Sequence, residues 1–315
     1  MAKTTASAPG KIILFGEHAV VYGRPAIAAP LNQVRAEAVV EDGKAAGIYL
    51  IAPDINKQYW LSEAREQDPF ARAVKVTLET LGTAHEPALS ITVRSQIPIA
   101  SGLGSGAAMA AAVIKALYNH LSGEGSAPDE LVSSLTYQVE MLLHGTPSGI
   151  DNSVVATAKP IYFIRRQPEN LIETLEVGRP LRILVADTGV VSRTKEVVGD
   201  VRRQWKEQTS AFETLFDHCG RIAKVAREAI EMGEFQQVGC LMTENQSCLR
   251  DLTVSSEELE HLIQAAEGAG AIGAKLSGAG RGGNMIALVD QSTAEDVRKA
   301  LLAAGAKNVL ESVIT

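Results

Sequence analysis

Cysteine is scarce in this 315-residue chain, and its pattern excludes two kinds of protein. There are three cysteines, Cys219, Cys240 and Cys248, and no two of them form a CxxC pair. A disulfide-rich secreted scaffold carries an even set of cysteines, and a structural zinc site needs closely spaced pairs. We therefore expect neither kind of protein, and we expect the three thiols to be buried as small apolar groups.

Long apolar runs and blocks of like charge are also missing. The longest apolar run, Ala107 to Ile114, has 8 residues, whereas a membrane-spanning helix needs about 20. Glu17 and His18 interrupt the apolar patch near the N-terminus, which a secretory signal would need unbroken. Lysines and arginines are scattered and the net charge is −7, so no basic block could follow a nucleic-acid backbone. The sequence predicts a soluble, cytoplasmic protein with no nucleic-acid and no membrane partner.

The chain is long and apolar enough for two domains of ordinary size, with 46% hydrophobic and 21% charged residues. β-Branched content or alternation predicts strands over 11–15, 26–29, 34–40, 89–93 and 181–186. Pro128 predicts the start of an amphipathic helix that ends before Gly145. A charged stretch over 165–179 separates the two halves. Strands mixed with helices in both halves predict an α+β or α/β protein and not a helix bundle, with domains over 1–179 and 180–315.

The segment PIASGLGSGAAMAAA, residues 98–112, changes abruptly from glycine and serine to alanine. Glycine and serine are poor helix formers and alanine is the best one, so the change predicts a loop that enters a helix at about Gly106. The N–H groups at a helix N-terminus are unpaired and carry the positive end of the helix dipole, which favours bound phosphate. A tight turn that only caps a buried helix is an equally good interpretation of the loop by itself.

Two well-known nucleotide-binding fingerprints do not fit. GxGxxA starting at Gly102 and GxGxxG starting at Gly278 lack the required order of strand, loop and helix, because the first is separated from its strand and a strand pattern follows the second. The Walker A pattern, GxxxxGK followed by serine or threonine, is absent. A bound phosphate chain would therefore need another glycine-loop architecture.

Three further stretches combine glycine with polar residues: APGKIILFGEHAVVYG at 8–23, HGTPSGIDN at 144–152 and KLSGAGRGGNMIAL at 275–288. Plain structural interpretations are available for the polar residues within them. Lys11 could end a strand in solvent, and Glu17 with His18 could form a surface turn. The HGTPSGIDN stretch could be an Asx turn that follows a helix.

In this order and at this spacing, the four stretches resemble the superfamily of galactokinases, homoserine kinases, mevalonate kinases and phosphomevalonate kinases. GEHAVVYG and HGTPSGIDN are most similar to its mevalonate-kinase branch, as are residues 192–195 and 245–263. The resemblance covers nearly the whole chain. It implies an N-terminal domain like that of ribosomal protein S5, a ferredoxin-like C-terminal domain, and a cleft in which ATP and an acceptor meet.

The resemblance also implies the site residues. The phosphates of ATP would lie against a loop made of Pro98, Ser101, Gly102, Leu103, Gly104, Ser105, Gly106 and Ala107. Glu140 and Ser105 would hold Mg²⁺, whose preferred ligands are hard oxygens. Asp151 would accept the proton of the acceptor hydroxyl, with Lys11 beside it. The acceptor would be bound by Glu17, His18, Thr194, Ser277, Gly278 and Ala279.

Two positions depart from the superfamily's usual motifs. The first glycine loop usually reads GLGSSAA, but here Gly106 replaces the second serine, which leaves Ser105 as the hydroxyl for the metal. The second loop commonly reads GAGGGG, but here Arg281 replaces one glycine. The arginine predicts either a stiffer loop or an additional charge directed toward the cleft.

The resemblance implies an ATP-dependent kinase that phosphorylates the 5-hydroxyl of mevalonate. Two alternatives are a related kinase or decarboxylase acting on phosphomevalonate or another small hydroxy acid, and a catalytically silent nucleotide-binding or regulatory protein with this fold. The GEHAVVYG stretch disfavours the first, and the joint presence of Lys11, Glu140 and Asp151 disfavours the second. A homodimer is left open.

Overall fold

The computed structural model describes residues 2–83, 85–98, 102–123, 125–145 and 147–315, with only the backbone of His144. Packing divides the chain into two compact units whose segments alternate along the sequence. Described residues of Met1–Lys11, Leu31–Ile99 and Leu103–Ala158 form unit 1, and those of Ile12–Pro30, Ala100–Gly102 and Lys159–Thr315 form unit 2. In these ranges, no helix combines the length and the apolar content that crossing a membrane requires.

The strands of unit 1 surround a parallel pair. They belong to β1 (Lys3–Phe15), β2 (Pro25–Asp42), β3 (Ile48–Ala52), β4 (Lys57–Trp60) and β5 (Leu89–Ser95). β3 pairs parallel with β5 and antiparallel with β4, and β5 pairs antiparallel with β2, which also pairs with β1. Helix α1 (Pro69–Thr80) lies in the connection from β4 to β5 and supplies the crossover that a parallel pair needs.

Unit 1 also contains the α-helices α2 (Ser105–Ser122), α3 (Asp129–His144) and α4 (Ile150–Thr157). Helix α2 packs against α1, α3, α4 and β5. Its alanines at 108, 111 and 112 are fully buried, and their small side chains let neighbouring elements approach closely. The alanine-rich sequence therefore serves a central packing position as well as helix propensity.

Unit 2 contains an antiparallel sheet of β8 (Leu181–Asp187), β9 (Gly273–Ser277), β10 (Asn284–Leu288) and β11 (Asn308–Ile314). The strand order is β11-β8-β10-β9, with helices between β8 and β9 and between β10 and β11. This is the ferredoxin-like topology, so the prediction for the C-terminal half is confirmed. Strand β6 (Ile161–Ile164) pairs antiparallel with β7 (Leu171–Thr174) and with the first residues of β2.

The helices of unit 2 are α5 (Thr194–Glu207), α6 (Thr209–Met232), α7 (Phe235–Asp251), α8 (Glu257–Gly268) and α9 (Ala294–Ala303). Helix α6 packs against α7, α7 and α8 pack against β9, and α9 packs against β11. Apolar side chains on their inner faces, such as Phe216 and Leu249, are fully buried. These helices form the core of the unit with its sheet.

The predicted strands are present, but some of their ends differ. Strand β2 runs unbroken from Pro25 to Asp42, although the pattern predicts two separate strands on either side of Pro30. Pro30 lies between the residues that pair with β6 and those that pair with β5, so its missing N–H removes no bond from either ladder. Pairing with two successive neighbours, which the local pattern does not contain, makes the strand continuous.

The expectation that all three cysteines are buried is wrong for Cys240, which is exposed on α7, whereas Cys219 and Cys248 are buried. The face of an amphipathic helix on which a residue lies decides its exposure, so the residue type alone does not predict burial.

The division of the chain into two domains after residue 179 stays a prediction.

Candidate active site

The first glycine loop leads into the N-terminus of α2, as the sequence predicts. Gly104 is the N-cap residue and has a left-handed φ of 75°, a conformation that glycine adopts without steric cost. Ser105 is the first helical residue, and Gly106 and Ala107 complete the turn. The N–H groups of this turn have no acceptor within the helix, so the turn suits an anion. Ser101 lies outside the described residues.

Lys11, on β1, lies against this helix end. Its N–H donates to the carbonyl of Leu103 at 2.9 Å. A Cβ at position 104 would lie only 2.8 Å from Lys11 Cγ, so Gly104 is needed for the lysine stem to pass. The Nζ atom lies 3.1 Å from Asp151 Oδ1, and the lysine side chain is only 8% exposed. The predicted contact between these two residues is therefore present.

The first turn of α4 carries Asp151, and neighbouring helices fix this short helix at several points. The side chain of Asn152 donates to the carbonyl and the hydroxyl of Ser133 on α3, at 3.2 Å and 2.9 Å. Lys115 Nζ on α2 donates to the carbonyl of Ala156 at 2.6 Å. These bonds hold α4, and with it the carboxylate of Asp151, in a defined position.

Glu140 lies on α3 and is nearly fully buried, with 4% of its surface exposed. A Cβ at Gly106 would lie 3.6 Å from Glu140 Oε1, so the carboxyl group lies beside the first turn of α2. Burial, and then the charge of Asp151, raise the pKa of Glu140 from 4.5 to about 7, against the opposing charge of Lys11. Any side chain at position 106 would therefore begin beside this carboxyl group.

In unit 2, the side chains of Glu17 and Lys275 form a fully buried ion pair. Lys275 Nζ also donates to the carbonyl of Leu276 at 2.6 Å. Burial lowers the pKa of Lys275, and the carboxylate of Glu17 opposes that shift. Two buried charges are tolerated here because they are paired and hydrogen-bonded. The pair joins the segment after β1 to strand β9.

His18 and Ser277 make further connections within unit 2. His18 Nε2 lies 2.8 Å from the carbonyl of Ala279, so Nε2 carries the proton and donates it. Burial lowers the pKa of His18 to about 4, which keeps the ring neutral at pH 7. The hydroxyl of Ser277 donates to the carbonyl of Ile13 at 2.9 Å and accepts from the N–H of Ile13 at 3.0 Å. The structure therefore brings together the predicted residues His18 and Ala279.

Two other segments of the chain, at Val254 and at Ser192, contact the second glycine loop at Gly280. Gly278 and Gly280 have left-handed φ values of 95° and 81°, and a Cβ at Gly280 would clash with the carbonyl of Val254. The hydroxyl of Ser192 donates to the carbonyl of Gly280 at 2.6 Å. Thr194 follows shortly after as the first residue of α5 and is exposed.

The side chain of Arg281 forms hydrogen bonds with other residues of unit 2. Its Nη1 donates to Asp200 Oδ2 at 2.6 Å, and its Nε donates to the carbonyl of Thr253 at 3.1 Å. Its backbone N–H donates to the carbonyl of Val254 at 2.7 Å. Of the two predicted consequences of this arginine, these bonds favour a stiffer loop.

Sequence reasoning missed three supporting residues: Lys275, Asp200 and Gln246. Gln246 is buried, and its Oε1 accepts from the N–H of Leu276 at 3.0 Å. A lysine inside the apolar strand pattern is a signal that could have pointed to Lys275, because a buried lysine needs a partner. No comparable signal exists for Asp200, which lies on a charged helix surface.

Comparison with known proteins assigns the chain to a family. Residues 69–159 match the family model for the GHMP kinases N terminal domain, and residues 226–307 match the model for GHMP kinases C terminal. A mevalonate kinase of Thermococcus sibiricus is 36% identical, over 99% of this chain and 96% of the relative. A mevalonate kinase of Pyrococcus abyssi is 38% identical, over 90% of this chain and 88% of the relative.

A solved structure shows the same fold. L. major mevalonate kinase in complex with R-mevalonate matches with a TM-score of 0.84 and 29% identity, over 100% of this chain and 96% of the other. The predicted two-domain α+β fold is confirmed by this match and by the two family models. From these similarities over nearly its full length, the chain belongs to the GHMP kinase family.

Proposed function

We propose that this kinase transfers the terminal phosphoryl group of ATP to the 5-hydroxyl of mevalonate. The observation that carries the proposal is the ion pair of Lys11 and Asp151, 3.1 Å apart and set against the N-terminus of α2. A proton acceptor, a cation and an anion-binding helix end thus occur together in unit 1. Similarity to mevalonate kinases over nearly the whole chain supports the choice of acceptor.

Asp151 acts as the base. Lys11 holds its Oδ1, and Oδ2 accepts the proton of the acceptor hydroxyl as that oxygen attacks the phosphorus. Removing the proton at this moment avoids a free alkoxide. Lys11 positions the carboxylate and places a positive charge beside the transferred group, in a poorly solvated environment where that charge is weakly screened.

The first glycine loop binds the phosphates of ATP. The backbone N–H groups of Ser105, Gly106 and Ala107 face outward from the start of α2, where the helix dipole favours negative charge. Gly102 and Gly104 have left-handed φ values and present no side chain between amide and phosphate oxygen. Pro98, Ser101 and Leu103 complete the predicted loop.

Glu140 and Ser105 fit a divalent cation and would hold Mg²⁺. The pKa of Glu140 is raised by burial and by the charge of Asp151, and a cation held at this carboxylate would offset both effects. Kinases commonly bind Mg²⁺ through one or two protein oxygens together with substrate phosphates. When bound, the ion neutralises charge on those phosphates.

Residues of unit 2 bind the acceptor in this proposal: Glu17, His18, Thr194, Ser277, Gly278 and Ala279. Glu17 forms a buried ion pair with Lys275, and the hydroxyl of Ser277 makes two hydrogen bonds to the backbone of Ile13, so these two residues are suited to holding the surface in place. The neutral ring of His18 fixes the backbone at Ala279.

A cytoplasmic location, the absence of nucleic-acid and membrane partners, and a homodimer stay predictions.

A substrate panel tests the function. Coupled ATP turnover is measured with mevalonate, phosphomevalonate, homoserine and galactose as acceptors. We expect mevalonate to stimulate turnover far more than the other three. Stronger stimulation by phosphomevalonate would assign the chain to the related kinases or decarboxylases, and nucleotide binding without turnover on any acceptor would favour the silent alternative.

Replacing Glu140 by glutamine is expected to weaken Mg²⁺ binding and to remove the part of its pH dependence that comes from this carboxyl group. A proton competes with the metal for a carboxyl group of pKa about 7, so the parent's Mg²⁺ affinity should fall up to about tenfold per pH unit below 7. Titration calorimetry of Mg²⁺ with a non-hydrolysable ATP analogue at pH 6, 7 and 8 measures this. The variant Glu130→Gln removes an exposed carboxylate from the same helix but keeps Glu140, so it should match the parent at each pH.

The same carboxyl group makes the unliganded protein less stable as pH rises. Its folded pKa lies above the unfolded value of 4.5, so its contribution is fully present below pH 4.5 and is lost by about pH 7. The size of that loss is about 3 kcal/mol. Denaturant unfolding of the parent and of Glu140→Gln should therefore diverge over this interval. Equal Mg²⁺ affinities and parallel stability profiles would return Glu140 to a purely structural role.

Gly104→Ala is expected to lower kcat by about 10–10²-fold, because its Cβ would displace the stem of Lys11. The left-handed φ adds a stability cost of about 1–2 kcal/mol. Gly123→Ala is the matched control, since Gly123 caps the other end of α2 at φ 64° with open space around a Cβ. It should show the stability cost with parental kcat. Equal kcat values in the two variants would show that Lys11 tolerates displacement.

A further inference from the structure

Two thiols, an imidazole and a carboxylate meet where α6 packs against α7 in unit 2. His218 and Cys219 lie on α6, and Glu244 and Cys248 lie one turn apart on α7. His218 Nε2 is 2.7 Å from Glu244 Oε1, and His218 Nδ1 is 3.6 Å from Cys248 Sγ. The imidazole is therefore placed between a carboxylate and a thiol, and none of these residues has a part in the proposed phosphoryl transfer.

The arrangement distinguishes the two thiols. The carboxylate of Glu244 accepts a hydrogen bond from the Nε2–H of His218. The lone pair of the imidazole is then on Nδ1, where it can take the proton of the Cys248 thiol. The hydrogen bond from Cys219, and then the charge of His218, lower the pKa of Cys248 to about 7, although burial and the charges of Glu244 and Asp251 oppose this. Cys248 is thus the more acidic thiol of the pair and the one that forms a thiolate first.

Cys219 is the thiol that stays protonated. Its hydrogen bond to Cys248 and its burial raise its pKa, and the charge of Glu17 adds to that effect. Asn245 Nδ2 lies 3.8 Å from its sulfur and fixes its orientation. A nucleophilic thiolate with a protonated thiol hydrogen-bonded to it is the arrangement of an attacking and a resolving cysteine.

Cys248 lies close beneath the surface. It is 3% exposed, but the side chain of His218 that contacts it is 40% exposed. Cys248 therefore borders a partly exposed side chain, whereas Cys219 is fully buried at 0% exposure. This difference in burial favours reaction of Cys248 with peroxide before Cys219.

We propose that Cys248 and Cys219 are a peroxide-sensitive pair that oxidises to a disulfide between α6 and α7, with His218 and Glu244 activating Cys248. The thiolate of Cys248 attacks one peroxide oxygen, forming an S–O bond and breaking the O–O bond. The released hydroxide takes the proton of the His218 imidazolium and leaves as water. Cys219 then attacks the sulfenic sulfur, an S–S bond forms, and the second oxygen leaves with the thiol proton as water. Two thiols are oxidised by two electrons, and one peroxide is reduced to two waters.

The test uses one equivalent of hydrogen peroxide per full-length chain at pH 7. Remaining thiols are blocked under denaturing conditions and the peptides are mapped by mass spectrometry. We expect a Cys219–Cys248 disulfide, with Cys240 still a free thiol. Cys240 is the internal control because it is exposed on the same helix. Oxidation of Cys240 first, with Cys219 and Cys248 both left as thiols, would overturn the proposal.

Two variants separate activation from simple proximity. In Cys219→Ser, oxidation should stop at the sulfenic acid of Cys248, which dimedone traps. In His218→Ala, the pH at half-maximal oxidation rate should rise above about 7, because the charge of His218 is one of the two effects that lower the pKa of Cys248. An absence of the dimedone adduct in the first variant, or an unchanged pH profile in the second, would contradict the proposed roles.

Discussion

Replacing Asp151 by asparagine is expected to lower kcat by about 10²–10⁴-fold while leaving the affinity for ATP nearly unchanged. Asparagine keeps the shape of the side chain but cannot accept the proton of the acceptor hydroxyl. ATP binding depends mainly on the N-terminal turn of α2, which the substitution does not touch. Steady-state kinetics with mevalonate, together with direct nucleotide binding, measures both quantities.

Asp129→Asn is the matched control for this substitution. Asp129 also lies in the first turn of a helix of unit 1 and also has a lysine partner, Lys115, at 3.9 Å, but it is exposed. This variant should keep parental kcat, because Asp129 has no role in the proposed reaction. If Asp151→Asn kept parental kcat and lost ATP affinity instead, Asp151 would be a metal or structural residue.

Replacing Lys11 by methionine is expected to lower kcat by about 10²–10³-fold. Methionine has a similar length and fills the space beside Gly104, but it removes the positive charge next to the transferred phosphoryl group. It also releases Oδ1 of Asp151, which lies 3.1 Å from Nζ in the parent. Circular dichroism and unfolding midpoints would establish that the fold is retained.

Lys3→Met serves as the control for loss of a lysine from the same strand. Lys3 is exposed, and its ion pair with Glu41 spans 3.4 Å, so its removal should leave kcat unchanged. The double variant of Lys11 and Asp151 should lose less activity than the product of the two single losses, because both residues act on one step. Fully multiplicative losses would show that the two side chains act independently.

Local features of the site could be predicted because they depend on neighbours in sequence. The change from glycine and serine to alanine placed the start of α2 within one or two residues of its observed start at Ser105. The first turn of α3 could also be placed, because proline, aspartate and glutamate are characteristic of a helix start. Caps, turn residues and helix propensity act over a few residues, so the sequence contains that information directly.

Partners distant in sequence could not be assigned in the same way. Lys275 and Glu17 are 258 positions apart, and each by itself has a plain interpretation as a solvated charge. Arg281 illustrates the same limit, because the sequence left its direction open and its bond to Asp200 on α5 favours one of the two alternatives. Which charges meet depends on how helices and strands pack, and a local pattern does not specify that.

By itself, the sequence determined the glycine loop, the alanine-rich helix that follows it, and the residue types available for phosphoryl transfer, and its motifs pointed to the family. Tertiary structure alone decided that Gly104 must lack a side chain to let Lys11 pass, that Glu140 is buried beside Gly106, and that Cys248 lies between His218 and Cys219. The physical reason is that burial and distance control the charge of an ionisable group, and both arise only when segments far apart in the chain pack together.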